Sequence, residues 1–226
     1  MEKAMIEINH VDRIFPVPGG EFQALKDINA EIPSGTLTIL KGRSGSGKTT
    51  LMNIVGALDG PSAGTVLFAG DDIWKLSDKQ RENLRRRDMG FVFQAVSLLP
   101  AMNAQQNVEF AMRMAGVKSA KEREKRAQEC LKLVGLGNRM HHMPAEMSGG
   151  EQQRTAIAKA IAHRPKLILA DEPTAELDST MAAHIVKIFK ELTEKEGITI
   201  LMTTHDVGLM DAGDQTIELE NGMRIV

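Results

Sequence analysis

The stretch from Gly42 to Thr49, GRSGSGKT, constrains this chain more than any other. It fits the pattern G-x-x-x-x-G-K-[ST]. An apolar strand-like run, LTILKG (Leu37–Gly42), leads into it, and a helical run, KTTLMNIVGAL (Lys48–Leu58), leads out. Glycines let the backbone turn its N–H groups inward. Such a nest wraps phosphates, while Lys48 neutralises the β- and γ-phosphates and the Thr49 hydroxyl is suited to Mg2+. A helix beginning at Lys48 adds the positive end of its dipole. A glycine-rich turn without a ligand is the bland alternative, and the strand–loop–helix setting argues against it.

Around this loop, short β-rich segments alternate with helical ones. MIEINHV (Met5–Val11) alternates apolar and polar residues as a half-buried strand does. PVPGGE (Pro16–Glu21) reads as a turn, and TVLFAG (Thr65–Gly70) and MGFVFQ (Met89–Gln94) read as strands. From Asn103 to about Arg139 the pattern is helical. Ala127, Cys130, Leu131 and Val134 share one face there, and the charges of KEREKR (Lys121–Arg126) form a solvated face. Strands return at LILAD (Leu167–Asp171), ITILMTTH (Ile198–His205), TIELE (Thr216–Glu220) and MRIV. The helix from about Thr180 to Lys195 makes a right-handed crossover in a parallel sheet. The expected organisation is one domain: an α/β core over about 1–94 and 163–226, with a helical insertion over about 95–162.

Bulk properties exclude several classes. The 226 residues are 42% hydrophobic and 26% charged, an ordinary globular balance. A formal net charge of −2 gives no electrostatic reason to expect nucleic acid. The single cysteine, Cys130, allows no intramolecular disulfide and reads as a packed helix residue. No run of 18 apolar residues exists, and the N-terminal sequence lacks a signal-type apolar stretch. The expectation is a cytoplasmic chain whose contact with a membrane runs through a partner.

Two further elements carry chemistry. LILADEP places Asp171 and Glu172 at the end of an apolar strand, the edge where ligands sit in parallel α/β sheets. Asp171 is suited to hold Mg2+ and Glu172 to take a proton from an attacking water. A solvated strand end is the alternative for a lone acidic pair. Gln94 and His205 end strands on the same expected edge. Alone they would be a turn residue and a packed or surface histidine. MSGGEQQR (Met147–Arg154) then poses a question. Ser148 and Glu151 form a capping box, but Gly149 and Gly150 cost helix stability, about 1 kcal/mol each. Something must approach that helix end too closely for a side chain.

The P-loop, strand-end Gln94, SGGEQQR, LILADEPT, ELD and strand-end His205 occur in that order. Together they resemble the nucleotide-binding subunit of ATP-binding-cassette (ABC) transporters, over essentially the whole chain. The resemblance implies a P-loop NTPase (RecA-like) fold with a mostly parallel core, a small antiparallel β subdomain and an inserted α-helical subdomain. It implies an ATPase using ATP and Mg2+. Gly42, Arg43, Ser44, Gly45, Ser46, Gly47, Lys48, Thr49 and Thr50 correspond to the Walker A loop. Gln94 corresponds to the Q-loop residue on the metal, Asp171 to the Walker B aspartate and Glu172 to the catalytic glutamate. Ser148, Gly149, Gly150 and Glu151 correspond to the signature that meets the γ-phosphate held by a second copy, which would explain the glycines. Asp178 matches the aspartate at the dimer seam, His205 the switch histidine, and Phe15 the aromatic that stacks on adenine. One P-loop and one signature per chain imply a two-fold homodimer with ATP between Walker A and the partner's signature.

Departures are visible. Phe15 stands where Tyr is common, Met147 replaces a common Leu, and Glu151 stands where many members have Gln. Glu176 puts a carboxylate where small or neutral residues are usual, so it either points away or slows closure. The runs MGFVFQAVSLLPAMNAQQNV, LRRRD and VGLGNRMHHMPAEMSGGEQQR are similar to the lipoprotein-release, macrolide-export and cell-division (LolD-, MacB- and FtsE-type) branch. Membrane partners there have few transmembrane helices and a large extracytoplasmic domain. By that resemblance a groove near the Q-loop receives a short cytoplasmic helix of the permease. SLLPAM (Ser97–Met102) either lines that groove or packs the root of the insertion. Arg81, Arg85, Arg86 and Arg87 form either a solvated helix face or a contact with partner or lipid. The subunit then energises export or extraction, or transmits force without moving a substrate. A soluble ABC ATPase acting in assembly, repair or translation is the alternative. A GTPase would need an N-K-x-D motif, which the chain lacks.

Overall fold

The computed structural model describes residues 4–204 and 207–225. In chain order the elements are β1 (Ala4–Val17), β2 (Gly20–Pro33), β3 (Leu37–Lys41), α1 (Lys48–Val55), β4 (Ala63–Phe68), β5 (Asp71–Asp72), α2 (Asp78–Asp88), β6 (Met89–Val92), α3 (Ala104–Met114), α4 (Ala120–Leu133), α5 (Gly149–Ile161), β7 (Leu167–Ala170), α6 (Ser179–Glu196), β8 (Thr199–Thr203), β9 (Gln215–Glu220) and β10 (Met223–Arg224). Two sheets result. One has the order β2-β1-β4-β5 and is antiparallel; the other has the order β10-β9-β3-β8-β7-β6. In the second, every pairing is parallel except that of β10 with β9.

The parallel strands are apolar on both faces because both are covered. All four residues of β7 are buried. Its Leu167 and Leu169 join an apolar cluster with α1 and the antiparallel sheet, through Leu51, Ile54, Ile6, Ile8, Leu25 and Ile28. Its Ile168 and Ala170 join the opposite cluster, which includes Val108 of α3, Leu131 of α4, Ile157 of α5 and Phe189 of α6. Period-two alternation within one strand thus feeds two cores.

Three elements differ from the sequence reading. Helix α1 stops at Val55 because Gly56 caps it, donating its N–H to Met52 O. A Cβ at Gly56 would stand 2.8 Å from Leu169 Cδ1 and Phe91 Cε1, so glycine lets the helix end sit on the sheet. The helical stretch after Asn103 is two helices, broken at Gly116 (φ +97°), with Ser119 capping α4. Strand β2 escapes pattern reading because its pairing with β1 shifts register at Ile8/Val11, Val11/Arg13 and Arg13/Ile14. Bulges of this kind break the two-residue period. Cys130 is buried in the α3–α6 core, and burial pushes its thiol up to about 11. No helix among the described residues is long and apolar enough to cross a membrane.

Candidate functional site

The parallel register brings the C-terminal ends of β3, β6, β7 and β8 to one edge: Val92 pairs with Ala170, Ala170 with Met202, and Leu40 with Thr203. The glycine-rich loop leaves β3 there. At Gly42 (φ +151°) a Cβ would lie 2.3 Å from Leu219 O, and at Gly47 (φ +104°) one would lie 2.9 Å from Ala24 O. Neither position admits a side chain. Lys48 is only 9% exposed, and its Nζ donates to Gly42 O (2.8 Å) and Arg43 O (3.1 Å). Its ammonium is therefore held on the inside of the loop. Ser46 Oγ is buried without a hydrogen-bond partner. Arg43, Ser44 and Gly45 form the exposed lip, and Thr50 is half-buried in the first turn of α1. No side chain caps α1 and no acidic residue stands in its first turn. The leading N–H groups, the buried ammonium and the orphan hydroxyl make a cradle suited to a polyanion.

The acidic pair lies within reach of this loop. Thr49 Oγ1 donates to Asp171 Oδ2 at 2.9 Å. Asp171 Oδ1 accepts from Thr203 Oγ1 at 2.7 Å, and the Glu172 N–H donates to that same Thr203 oxygen at 2.8 Å. One hydroxyl thus aligns both acidic residues. Glu172 has φ +48°, a left-handed backbone that costs a non-glycine residue about 1–3 kcal/mol. Strain of this kind is held in place by its surroundings, here the Thr203 bond. Gln94 Nε2 approaches Glu172 Oε2 at 3.4 Å. Thr49 and Asp171 offer hydroxyl and carboxylate oxygens side by side, and Gln94, next to Glu172, offers an amide oxygen; these are the hard donors that suit Mg2+.

Other expected residues are distributed around this centre. His205 lies outside the described residues. Phe15 is half-buried on β1 with the Arg13 guanidinium stacked over it. Asp178 has a local task that the sequence reading missed. It is the N-cap of α6, with its side chain accepting from Met181 N at 2.9 Å.

The SGGE element starts α5. Ser148 Oγ accepts from Glu151 N (3.3 Å), and Glu151 Oε2 accepts from Ser148 N (2.9 Å). The Ser148 N–H, with Arg139 beside it, holds the Glu151 carboxyl below its ordinary range. The glycines have a neighbour within the same chain. A Cβ at Gly150 would meet Glu176 O and Leu177 Cδ2, each at 3.2 Å, and one at Gly149 would lie 3.7 Å from Glu176 Oε2. Close approach at Gly150 is thus already required by the turn that follows Glu172. The Glu176 carboxylate lies near Gly149 in the first turn of α5.

A second surface lies along β6. A cavity of about 260 Å3 is lined by Phe91, Phe93, Phe110 and Met114, with Arg85, Arg86, Lys159 and His163 around it. Arg85 donates to Ala57 O, Arg86 to Met114 O and Lys159 to Ser97 O. Among the described residues none of these three cations has a carboxylate partner at ion-pair distance. Of SLLPAM, Ser97 reaches this cavity. Leu99 and Met102 are instead bound by the fully buried Asn107 amide at the root of α3. None of the six residues is buried, so the segment does not pack the core; backbone bonds to Asn107 tie it to the root of the insertion, and of the six only Ser97 lines the cavity. Arg85 and Arg86 are half-buried at the groove rather than on a solvated face, whereas Arg87 is exposed.

Thr203 and Arg13 were not singled out from sequence. Thr203 gains its role only from the β7/β8 register, and a T-T pair before a strand-end histidine is a faint signal for it. Residues 25–175 match the family model described as ABC transporter. The lipoprotein-releasing system ATP-binding protein LolD of Hyphomonas neptunium is 40% identical over 100% of this chain and 98% of its own length. The macrolide export ATP-binding/permease protein MacB of Wolinella succinogenes is 42% identical over 98% of this chain, which spans 34% of that larger protein. The solved dimeric, post-hydrolysis structure of the ATP-binding cassette MJ0796 bound to ADP and Pi superposes with a TM-score of 0.93. It is 38% identical and covers 98% of this chain and 97% of its own; MJ0796 comes from Methanocaldococcus jannaschii.

Proposed function

This chain belongs to the ABC transporter family of ATPases, and we propose that two copies of it close on two ATP molecules to drive a membrane permease. The observation that carries this reading is the Thr49–Asp171 bond of 2.9 Å with Glu172 next in line. It joins the phosphate loop to an acidic strand end in the arrangement that hydrolysis needs.

Phe15 stacks on the adenine, the 42–50 loop wraps the phosphates, and Lys48 neutralises their charge. Thr49, Asp171 and Gln94 would hold Mg2+, which supplies charge neutralisation at the β- and γ-phosphates. Glu172 accepts a proton as the attacking water oxygen bonds to the γ-phosphorus. The bond to the bridging oxygen breaks, and ADP and phosphate leave. Thr203 keeps Asp171 and Glu172 aligned. His205 corresponds to the switch residue that senses the γ-phosphate. Ser148, Gly149, Gly150 and Glu151 act in trans on the nucleotide held by the other copy, with Asp178 at the seam. Glu176 presents a carboxylate where that phosphate would arrive and so opposes closure. Stronger binding of ATP by the closed pair shifts the population toward it.

The segment 95–162 serves as the helical subdomain that carries the signature. The groove along β6 receives a short cytoplasmic helix of the permease: its aromatic lining offers apolar burial, and its cations attract an acidic partner surface. The likeness to LolD and MacB supports a permease of the few-helix type with a large extracytoplasmic domain. The chain then works peripherally on the cytoplasmic face of the membrane.

The direct test is Glu172→Gln. Turnover should fall by about two to four orders of magnitude, because the proton acceptor is gone, while ATP binding measured by equilibrium dialysis persists. Unchanged turnover would remove Glu172 from the mechanism.

A further inference from the structure

The Phe15 ring is not bare. The Arg13 guanidinium carbon stands 4.3 Å from its centroid and covers one face. The two residues stand two apart on β1, on either side of the register shift at Arg13/Ile14. A planar guanidinium stacks on an aromatic ring and is drawn by its electron-rich face. Arg13 is in turn anchored: its Nη2 donates to Asp59 Oδ1 at 2.6 Å, with only 22% and 32% of the two side chains exposed.

Asp59 lies in the link between α1 and β4. That link is tied to β1 at two more points. Ser62 N donates to Asp12 O at 2.8 Å, and Ile14 N donates to Ser62 Oγ at 2.9 Å. Helix α1 starts at the phosphate loop. The chain of contacts Phe15–Arg13–Asp59 therefore connects the aromatic ring to the far end of the helix whose beginning cradles phosphate.

We propose that Arg13 is a positioning residue for the base. It closes one face of Phe15, leaves the other as the stacking face, and through Asp59 sets the span between that face and the phosphate loop. The inference rests on the reading of Phe15 as the base platform, and the experiment separates the two.

The test is calorimetric titration of the full chain with Mg–ATP and with Mg–tripolyphosphate, which has phosphates but no base. Arg13→Gln should weaken ATP binding about three- to tenfold and leave tripolyphosphate binding unchanged, with Arg13→Lys restoring part of the loss. Phe15→Ala should weaken ATP more strongly and again spare tripolyphosphate. If Phe15→Ala weakens ATP but Arg13→Gln does not, or tightens it, the role of Arg13 is overturned and the platform stands. If Arg13→Gln weakens both ligands alike, Arg13 supports the fold generally and the inference fails. If Phe15→Ala leaves ATP binding unchanged, the platform reading fails and the inference falls with it.

Discussion

The Thr203 hydroxyl carries more of the site than its position suggests. It donates to Asp171 Oδ1 and accepts from the Glu172 N–H, so a single side chain fixes both acidic residues. Thr203→Val keeps the shape and the β-branch but leaves two polar atoms without that partner, at a cost of about 1–3 kcal/mol each if nothing replaces it. We expect steady-state turnover to fall about tenfold or more in Thr203→Val and to recover in Thr203→Ser. Equal turnover in both variants would show that the alignment does not matter. Asp171 and Glu172 were legible in sequence because they end an apolar strand in a chain that also carries a P-loop. Thr203 was not, because threonine is at home in any strand and its partner is set by register. Glu176 was legible as an oddity, but the sequence could not tell which way it faces. In the structure its carboxylate lies near Gly149 of its own chain.

At the scale of elements, α5 joins the two surfaces that the proposed function uses. Its first turn is the SGGE cap. Beyond its last turn, His163 donates from Nε2 to Met89 O at 3.0 Å, beside the groove. Burial holds the His163 pKa below the usual 6.5, although the Met89 carbonyl and Asp88 pull the other way. The folded chain therefore favours neutral His163, while the unfolded chain takes up a proton as pH falls below 6.5. This stability is present above about pH 6.5 and is lost as pH drops through the lower, folded value. Thermal melts between pH 7.5 and about 5 should show a shallower fall for His163→Gln than for the unaltered chain, since the amide can still donate to Met89 O but does not titrate. Identical slopes would remove His163 from the acid response. The signature helix was readable from its S-x-x-E spacing, but β2 was hidden by its bulges. The break between α3 and α4 also escaped, because local apolar spacing continues across it.

For the whole molecule, the architecture was legible because a P-loop between an apolar strand and a helix admits few topologies, and because the parallel strands are apolar on both faces. A groove near the Q-loop was expected from the family resemblance, but its lining stayed hidden. It is assembled from α2, β6, α3 and α5, and no single segment announces it. The proposed site is composite: the P-loop and the signature of one chain would serve two different nucleotides. The most direct measurement is the molar mass in solution of the Glu172→Gln variant, by light scattering on a sizing column, with Mg–ATP and with ADP. The account predicts a dimer with ATP and a monomer with ADP. A monomer in both conditions, with ATP shown to be bound, would contradict closure of two copies on nucleotide alone.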